Sequence, residues 1–336
     1  MLVLCRKMSN QSLCIFTNGT VTIERTIFTL LYSVIIILGL FFNVVALWIF
    51  RVHIQQRSGT IFYMRNLAIV DLLLVCFLPF RIIAYYSQDR LSCEIASIIF
   101  LVNMYTSIFF LTCISLDRCL ATVLPFKVRI YHLRRAAPWV SGLVWFLTLG
   151  CSLPTYLKWK FNSNWTSEHN CLEPIVVTKN LPLIFTLAIG FGIPFSLVLT
   201  SSLLALLKMR KTKLSPNLNI RKTQNMILAN FLVFTFCFLP YHVFLGLYQR
   251  LNANWICGGQ QVFQITQILA SANTVFDPVI YYFTTEAFQK THLMRTVHNM
   301  ICCKHIREGQ EECTVQCRGT YKKASEVSLC LEHCMK

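Results

Sequence analysis

Residues 61–86 read IFYMRNLAIVDLLLVCFLPFRIIAYY. A membrane-spanning helix needs about 20 predominantly apolar residues, because the hydrocarbon core is about 30 Å thick and a helix rises about 1.5 Å per residue. This stretch is long enough, but Arg65, Asp71 and Arg81 interrupt it. Residues 67–80 are almost wholly apolar, and their one acid falls mid-span, where an acid is costly and tends to have a function. Six further runs contain no Asp, Glu, Lys or Arg: 26–50, 95–116, 136–157, 180–207, 223–249 and 251–276. With 61–86 counted as a span, the chain crosses a membrane seven times; without it, six.

The composition agrees with a polytopic membrane protein. Of 336 residues, 55% are hydrophobic and 13% charged, against about 25% charged in soluble domains. The net charge of +17 does not mark a nucleic-acid surface, because no polar basic face accompanies it. Fourteen bases fall in the loops after spans one, three and five, and five fall in the opposite loops. The positive-inside rule then predicts an extracellular N-terminus and a cytoplasmic C-terminus. The sequons at Asn10, Asn18 and Asn164 all lie on the side assigned as extracellular. No cleavable leader is apparent before Arg6 and Lys7, so span one is expected to serve as the membrane signal, with Met8 an alternative start. An odd number of spans without an internal repeat disfavours a transporter built from two halves.

Two acids, Asp71 and Asp277, fall inside spans, accompanied by Asn43, Asn103, Ser107 and Asn273. They read either as a buried polar network that holds helices together or as a small cation site with a switching role. Two neighbouring carboxylates repel, so a cation or one shared proton is expected. Pro79, Pro154, Pro194, Pro240 and Pro278 interrupt the spans. Each removes a helix hydrogen bond and permits a kink.

Motifs in nearly every span then resemble the class A, rhodopsin-like G-protein-coupled receptors. Gly39-Leu-Phe-Phe-Asn43 resembles the first-helix pattern, and Asn66-Leu-Ala-Ile-Val-Asp71 the LAxxD motif. Cys93 opens helix three and Asp117-Arg118-Cys119 closes it, like DRY with Cys for Tyr. Trp145 and Pro194 stand in helices four and five. Cys237-Phe-Leu-Pro240 resembles CWxP, and Asp277-Pro-Val-Ile-Tyr281 resembles NPxxY. The Phe and Asp variants, with 103–108 before Thr112-Cys-Ile-Ser115, are similar to the purinergic-receptor-like branch of nucleotide and lysophospholipid receptors.

The resemblance implies an all-α, seven-transmembrane bundle over 26–284, with an extracellular N-terminus over 1–25. It also implies a plasma-membrane location, heterotrimeric G-protein coupling and arrestin as a further partner. Arg118 would be the switch that meets the G protein, held by Asp117 at rest. Phe238 would be the rotamer-sensitive residue under the ligand, and Tyr281 would swing inward in the open state. Asp71, Ser107, Asn273 and Asp277 match the family's sodium pocket; no cofactor is required, and sodium would act allosterically. Ser202 stands where many class A receptors have Tyr, which removes one partner of the active-state network. Cys93 and Cys171 resemble the helix-three bridge. Cys14 and Cys257 resemble the branch's second bridge, with Cys5 a competitor for it. Cys76, Cys113, Cys119, Cys151 and Cys237 read as small core residues.

Residues expected to face the ligand are Arg81, Phe100, Tyr105, Lys179, Tyr241, His242, Leu245, Tyr248 and Gln267. Outer helix three carries no acid near Phe100, where amine receptors put one, which disfavours amines, and residues 251–289 contain no Lys for a retinal Schiff base. Outward bases (Arg81, Lys158, Lys160, Lys179, Arg250) suit an anion. The run His242-Val-Phe-Leu245 lacks the phosphate-binding base of nucleotide receptors. Arg81 after Pro-Phe, and Cys-Phe-Leu-Pro-Tyr, resemble the lysophosphatidic acid receptors. A lysophospholipid is therefore the first reading, with a nucleotide, or another lipid or carboxylate, the alternatives. Arg81 also admits a bland reading, snorkelling to the headgroups.

Residues 285–299 read as an amphipathic helix on the inner leaflet, followed by Cys302 and Cys303, which fit palmitoylation. The rest of a cysteine-rich tail, 300–336, carries Cys313, Cys317, Cys330 and Cys334, weak evidence for zinc. An aspartyl membrane hydrolase is disfavoured, because no Gly-rich flank or nucleophile motif accompanies the two acids. A non-signalling receptor on the same fold is weighed against Arg118 and the basic third loop.

Overall fold

A computed structural model of the chain describes residues 5–8, 11–14, 18–52, 59–87, 90–123, 135–162, 180–211, 218–248 and 256–284. The chain divides into two units, Met1–Thr284 and Thr285–Lys336. The amphipathic helix, Cys302, Cys303 and the cysteine-rich tail belong to the second unit and lie outside the described residues.

The first unit is helical. We label its helices α1 (Asn18–Val52), α2 (Gly59–Ser87), α3 (Arg90–Val123), α4 (Ala137–Asn162), α5 (180–211), α6 (Leu218–Tyr248) and α7 (Ile256–Thr284). A short ribbon precedes them: β1 (Cys5–Met8) pairs antiparallel with β2 (Gln11–Cys14) and aligns Cys5 opposite Cys14. No strand is read from the sequence there. The ribbon's second strand lies against α7, the helix that carries Cys257. Neighbouring helices pack in order from α1 to α3, α5 packs on α6 and α6 on α7, and α7 closes back on α1. Helix α3 runs through the middle, touching α2, α4, α5, α6 and α7.

Burial is inverted relative to a soluble protein. Trp139, Phe146 and Phe236 stand exposed, while Asn43, Asp71, Asn103, Asn230, Asn273 and Asp277 are buried. That is the arrangement a lipid solvent requires, since backbone and side-chain polar groups must be satisfied inside the bundle. Among the described residues, five helices are long and apolar enough to cross a membrane: Ile23–Val52, Gly59–Ser87, Leu91–Val123, Leu183–Lys208 and Thr223–Leu247. The stretch that leaves the count open in the sequence, α2, is among them. Ala137–Ser152 is a shorter apolar helix. Helix α7 falls short of that measure because Gln261, Gln264, Gln267, Asn273 and Asp277 replace apolar side chains, and all of these except Gln261 are buried.

Helix α1 begins at Asn18, ahead of the hydrophobic run at 26. The apolar run sets where the helix meets lipid, and the helix itself continues past that point. Lipid gives little hydrophobic drive between helices, so close packing and small residues do much of the work. A Cβ on Gly39 would meet the Val75 side chain at 2.8 Å and Thr274 at 3.3 Å, so glycine lets α1 approach α2 and α7. Phe28, Tyr32, Ile35, Leu74 and Leu78 form a core cluster at the same junction. Two expected core thiols differ: Cys76 and Cys151 sit on the exposed faces of their helices, because each lies on the side turned from the bundle, whereas Cys237 is buried.

Candidate functional site

Three groups of polar side chains lie inside the bundle. We call the end of α2 at Ser87 outer and the end of α3 at Val123 inner.

In the outer half, Arg81 follows Pro79 on α2. It is 4% exposed and turned inward. Its Nη2 donates to Gln267 Oε1 on α7. Its guanidinium lies 4.9 Å from the Phe100 ring centre and 5.7 Å from that of Tyr32, within cation–π range. This excludes the snorkelling reading, in which the charged head would reach water. No carboxylate pairs with Arg81 among the described residues, and its Nε has no partner. Phe100 meets Tyr241 edge-on at 5.8 Å, Tyr241 meets His242 at 5.2 Å, and His242 meets Tyr105 at 6.0 Å. A continuous aromatic wall therefore joins Arg81 to Tyr105, and buried Leu245 lies a turn beyond Tyr241 on α6.

Helix α5 shapes the far end of this wall. Between Asn180–Phe185 and Ile193–Lys211 it widens into a π-helical turn over Thr186–Gly192. The Ile193 N–H bonds Ala188 O, the five-residue spacing of that geometry. The turn stacks Phe191 on His242, ring centres 4.2 Å apart and planes 12° from parallel. It also brings Gly190 so close that an added Cβ would lie 2.9 Å from Tyr105 Cε1. Hydrophobic periodicity does not reveal such a turn, and Tyr32, Gly190 and Phe191 are not picked out by sequence reasoning.

The middle group joins α1, α2, α3 and α7. Asn103 Nδ2 donates to Asp71 Oδ1 and Val70 O, both at 3.2 Å. Asn273 Nδ2 donates to Asp277 Oδ2 at 2.7 Å. Asn43 Nδ2 donates to Gly39 O at 2.9 Å and Thr274 O at 2.8 Å. The Asn103 and Asn43 amides thus tie α3 to α2 and α1 to α7, as in the network reading, while the Asn273 amide bonds within α7. The oxygens left without partners among the described residues are Asp71 Oδ2, Asp277 Oδ1, Asn273 Oδ1, Ser107 Oγ and Asn43 Oδ1. Two carboxylates in one buried cluster would repel if both were charged. Oxygen-only donors suit a hard cation. Among the described residues no three His, Cys, Asp or Glu side chains cluster as a transition-metal site would require.

The inner group is tied across helices. Thr60 Oγ1 at the start of α2 donates to Asp117 Oδ2. Asn230 Nδ2 on α6 donates to Leu111 O at 3.1 Å and to Ser115 Oγ, joining α6 to α3. Thr122 Oγ1 donates to Arg118 O. Trp145 Nε1 on α4 donates to Asn66 Oδ1 at 3.1 Å, the partner of that LAxxD asparagine. Phe238 is fully buried one turn inward of His242, edge-on to Phe234 at 5.6 Å.

The architecture now bears on identity. Residues 42–281 match the family model of the seven-transmembrane receptors of the rhodopsin family. The chain belongs to this family. It is similar to lysophosphatidic acid receptor 6 of Mus musculus, 36% identical over 306 residues that cover 85% of this chain and 88% of that one. It is also similar to lysophosphatidic acid receptor 4 of Homo sapiens, 38% identical over 277 residues (77% and 75%). Lysophosphatidic acid receptor 5 of Bos taurus is 34% identical over 284 residues (77% and 76%). The protein is a membrane receptor of this family and not an enzyme.

Several sequence expectations rest on side chains outside the described residues. These are Lys179, Tyr248 and Tyr281, the sequon asparagines Asn10, Asn18 and Asn164, and the cysteines Cys14, Cys171 and Cys257. Cys93 is disulfide-bonded.

Proposed function

We propose that this receptor binds an extracellular lysophospholipid of the lysophosphatidic acid type and passes the signal to a heterotrimeric G protein. The observation that carries the reading is Arg81. A charge buried in the bundle is costly unless it is paired. Among the described residues it meets a neutral amide and aromatic rings, and no carboxylate. That environment leaves room for one anion, and Arg suits a phosphate. The aromatic wall from Phe100 to Leu245 suits an acyl chain. The names of the similar receptors point the same way. A nucleotide with several phosphates would need more bases than this wall supplies.

The signal would run inward along α6, from Tyr241 and His242 to Phe238 and then to the Asn230 contact with α3. Release of that contact would free Arg118 for the G protein, with arrestin a later partner at the same face. Asp71, Asp277, Asn273 and Ser107 would hold a sodium ion that favours the resting state. The receptor would lie in the plasma membrane, N-terminus outside and C-terminus inside, as loop charge requires. The test is guanine-nucleotide exchange in membranes exposed to lysophosphatidic acid. Wild type is expected to respond and Arg81→Ala to fail at matched surface expression. An unchanged response in Arg81→Ala would overturn the head-group assignment.

A further inference from the structure

Two polar atoms at the far end of the wall have no role in recognising a phosphate. Tyr105 Oη and His242 Nε2 are both closed off from solvent, and neither has a partner among the described residues. Buried polar groups are nearly always hydrogen-bonded, so each such exception needs an explanation. The tautomer of His242 can be argued. Its Nδ1 lies 2.8 Å from Phe238 O, and a carbonyl only accepts, so Nδ1 carries the proton. In the neutral ring Nε2 is then an acceptor that needs a donor. Tyr105 Oη can both donate and accept. The π turn of α5 clamps both rings at once, Gly190 against Tyr105 and Phe191 against His242. Such turns occur often at functional sites.

A chemical group that donates to His242 Nε2 and accepts from Tyr105 Oη would satisfy both atoms. A phosphate diester or a simple ester carbonyl cannot donate; a hydroxyl does both. We infer that Tyr105 and His242 form an uncharged second pole of the ligand site that reads a free hydroxyl on the linker between phosphate and acyl chain. The inference rests on the lysophospholipid reading and deepens it. The ligand is a phosphate monoester whose glycerol linker keeps an unesterified hydroxyl, and Arg81 and the Tyr105–His242 pair hold its two polar ends. Because both atoms are sealed at rest, the hydroxyl enters by parting the Tyr105–His242 contact. Ligand binding therefore acts directly on the ring next to Phe238 O.

The experiment compares two probes of equal chain length in the exchange assay: an acyl glycerol phosphate with its free hydroxyl, and an alkyl phosphate that has neither glycerol nor hydroxyl. An unsatisfied buried hydrogen-bonding group costs enough to make wild type prefer the first probe by ~10–100-fold in potency. Tyr105→Phe, which removes only the phenolic oxygen, should lower the potency of the acyl glycerol phosphate more than that of the alkyl phosphate and so cut that preference to a few-fold. His242→Phe, which preserves the stack on Phe191, should do the same, and His242→Gln should restore part of the preference. The histidine pair keeps the test open if Tyr105→Phe fails to reach the surface. Equal wild-type potency for the two probes, or a preference unchanged in both Tyr105→Phe and His242→Phe, overturns the second pole. Failure of wild type to respond to either phosphate overturns the lysophospholipid reading, and the second pole falls with it.

Discussion

The outer and inner halves of this bundle treat polar groups in opposite ways. In the outer half, Tyr32 Oη, Arg81 Nε, Tyr105 Oη and His242 Nε2 are buried without partners among the described residues. In the inner half, Thr60, Asp117, Ser115 and Asn230 spend their polar atoms on one another across helix boundaries. Ser141 and Ser202 are exceptions on the inner side, each with a buried Oγ that has no partner among the described residues. The cost of an unmet hydrogen bond is about 1–3 kcal/mol, whereas a met one returns about 1 kcal/mol net. One half is therefore built to gain by receiving something. The other is built so that change means giving something up. A receptor needs both, since a ligand shifts an equilibrium only by the difference between its interactions with the two states.

The largest effect should come from breaking the outer half. Arg81→Ala removes the only described charge on the ligand wall and leaves a bound phosphate unpaired. Truncating one member of a buried charge pair costs about 2–5 kcal/mol, so potency should fall by at least ~30-fold in a dose–response measurement. Arg81→Lys should recover part of it, because the charge returns without the planar fork. Breaking the inner half should do the reverse. Asn230→Ala removes the α6–α3 clasp, so ligand-free exchange should rise by ~5-fold, the change expected from losing about 1 kcal/mol of resting-state stability. Potency of the ligand should then increase, not decrease. A fall in basal exchange would show that Asn230 supports the active state instead.

The middle cluster connects the two halves and gives the next effect. If sodium sits among the oxygens of Asp71, Asp277, Asn273 and Ser107, raising NaCl against a constant-ionic-strength control should weaken agonist binding by ~5-fold. Asp71→Asn should abolish that dependence, because it removes a charge and turns an acceptor into a donor. Sodium-insensitive binding in wild type would leave the cluster as a helix-holding network alone.

Much of this was legible in the sequence, for identifiable reasons. Span positions follow from runs without charge, and the polar residues inside those runs, Asp71, Arg81, Asn103, Asn273 and Asp277, stand out because lipid makes them expensive. Their clustering in three dimensions was carried by family motifs, not by spacing. Asn230 lay in plain view as an amide in the 223–249 run, yet nothing in a linear pattern says that it faces Ser115. The π turn was invisible because it alters register by a single residue within one apolar helix. Nothing in the sequence marks Tyr32, because it stands in an unbroken apolar run beside Ile27, Leu30, Val34 and Ile37, all of them exposed while Tyr32 is buried.

Tyr32 gives the finest test of the comparison. It is fully buried, packs edge-on to Phe28 at 4.7 Å, and offers its ring to Arg81. Two roles are separable. The ring face stabilises the guanidinium through its quadrupole, which phenylalanine retains. The hydroxyl, unpartnered, is available to a phosphate oxygen beside Arg81. Tyr32→Phe should therefore cost one neutral hydrogen bond to the ligand, about 3-fold in potency, without changing surface expression or basal exchange. Tyr32→Leu should cost more, because Arg81 then loses one of its two ring contacts and the core cluster loses its aromatic pair. If Tyr32→Phe instead left potency untouched while Tyr32→Leu lowered it, the hydroxyl would belong to packing alone. The head-group contacts would then reduce to Arg81 and Gln267, and the outer half would hold its anion by charge and a single amide.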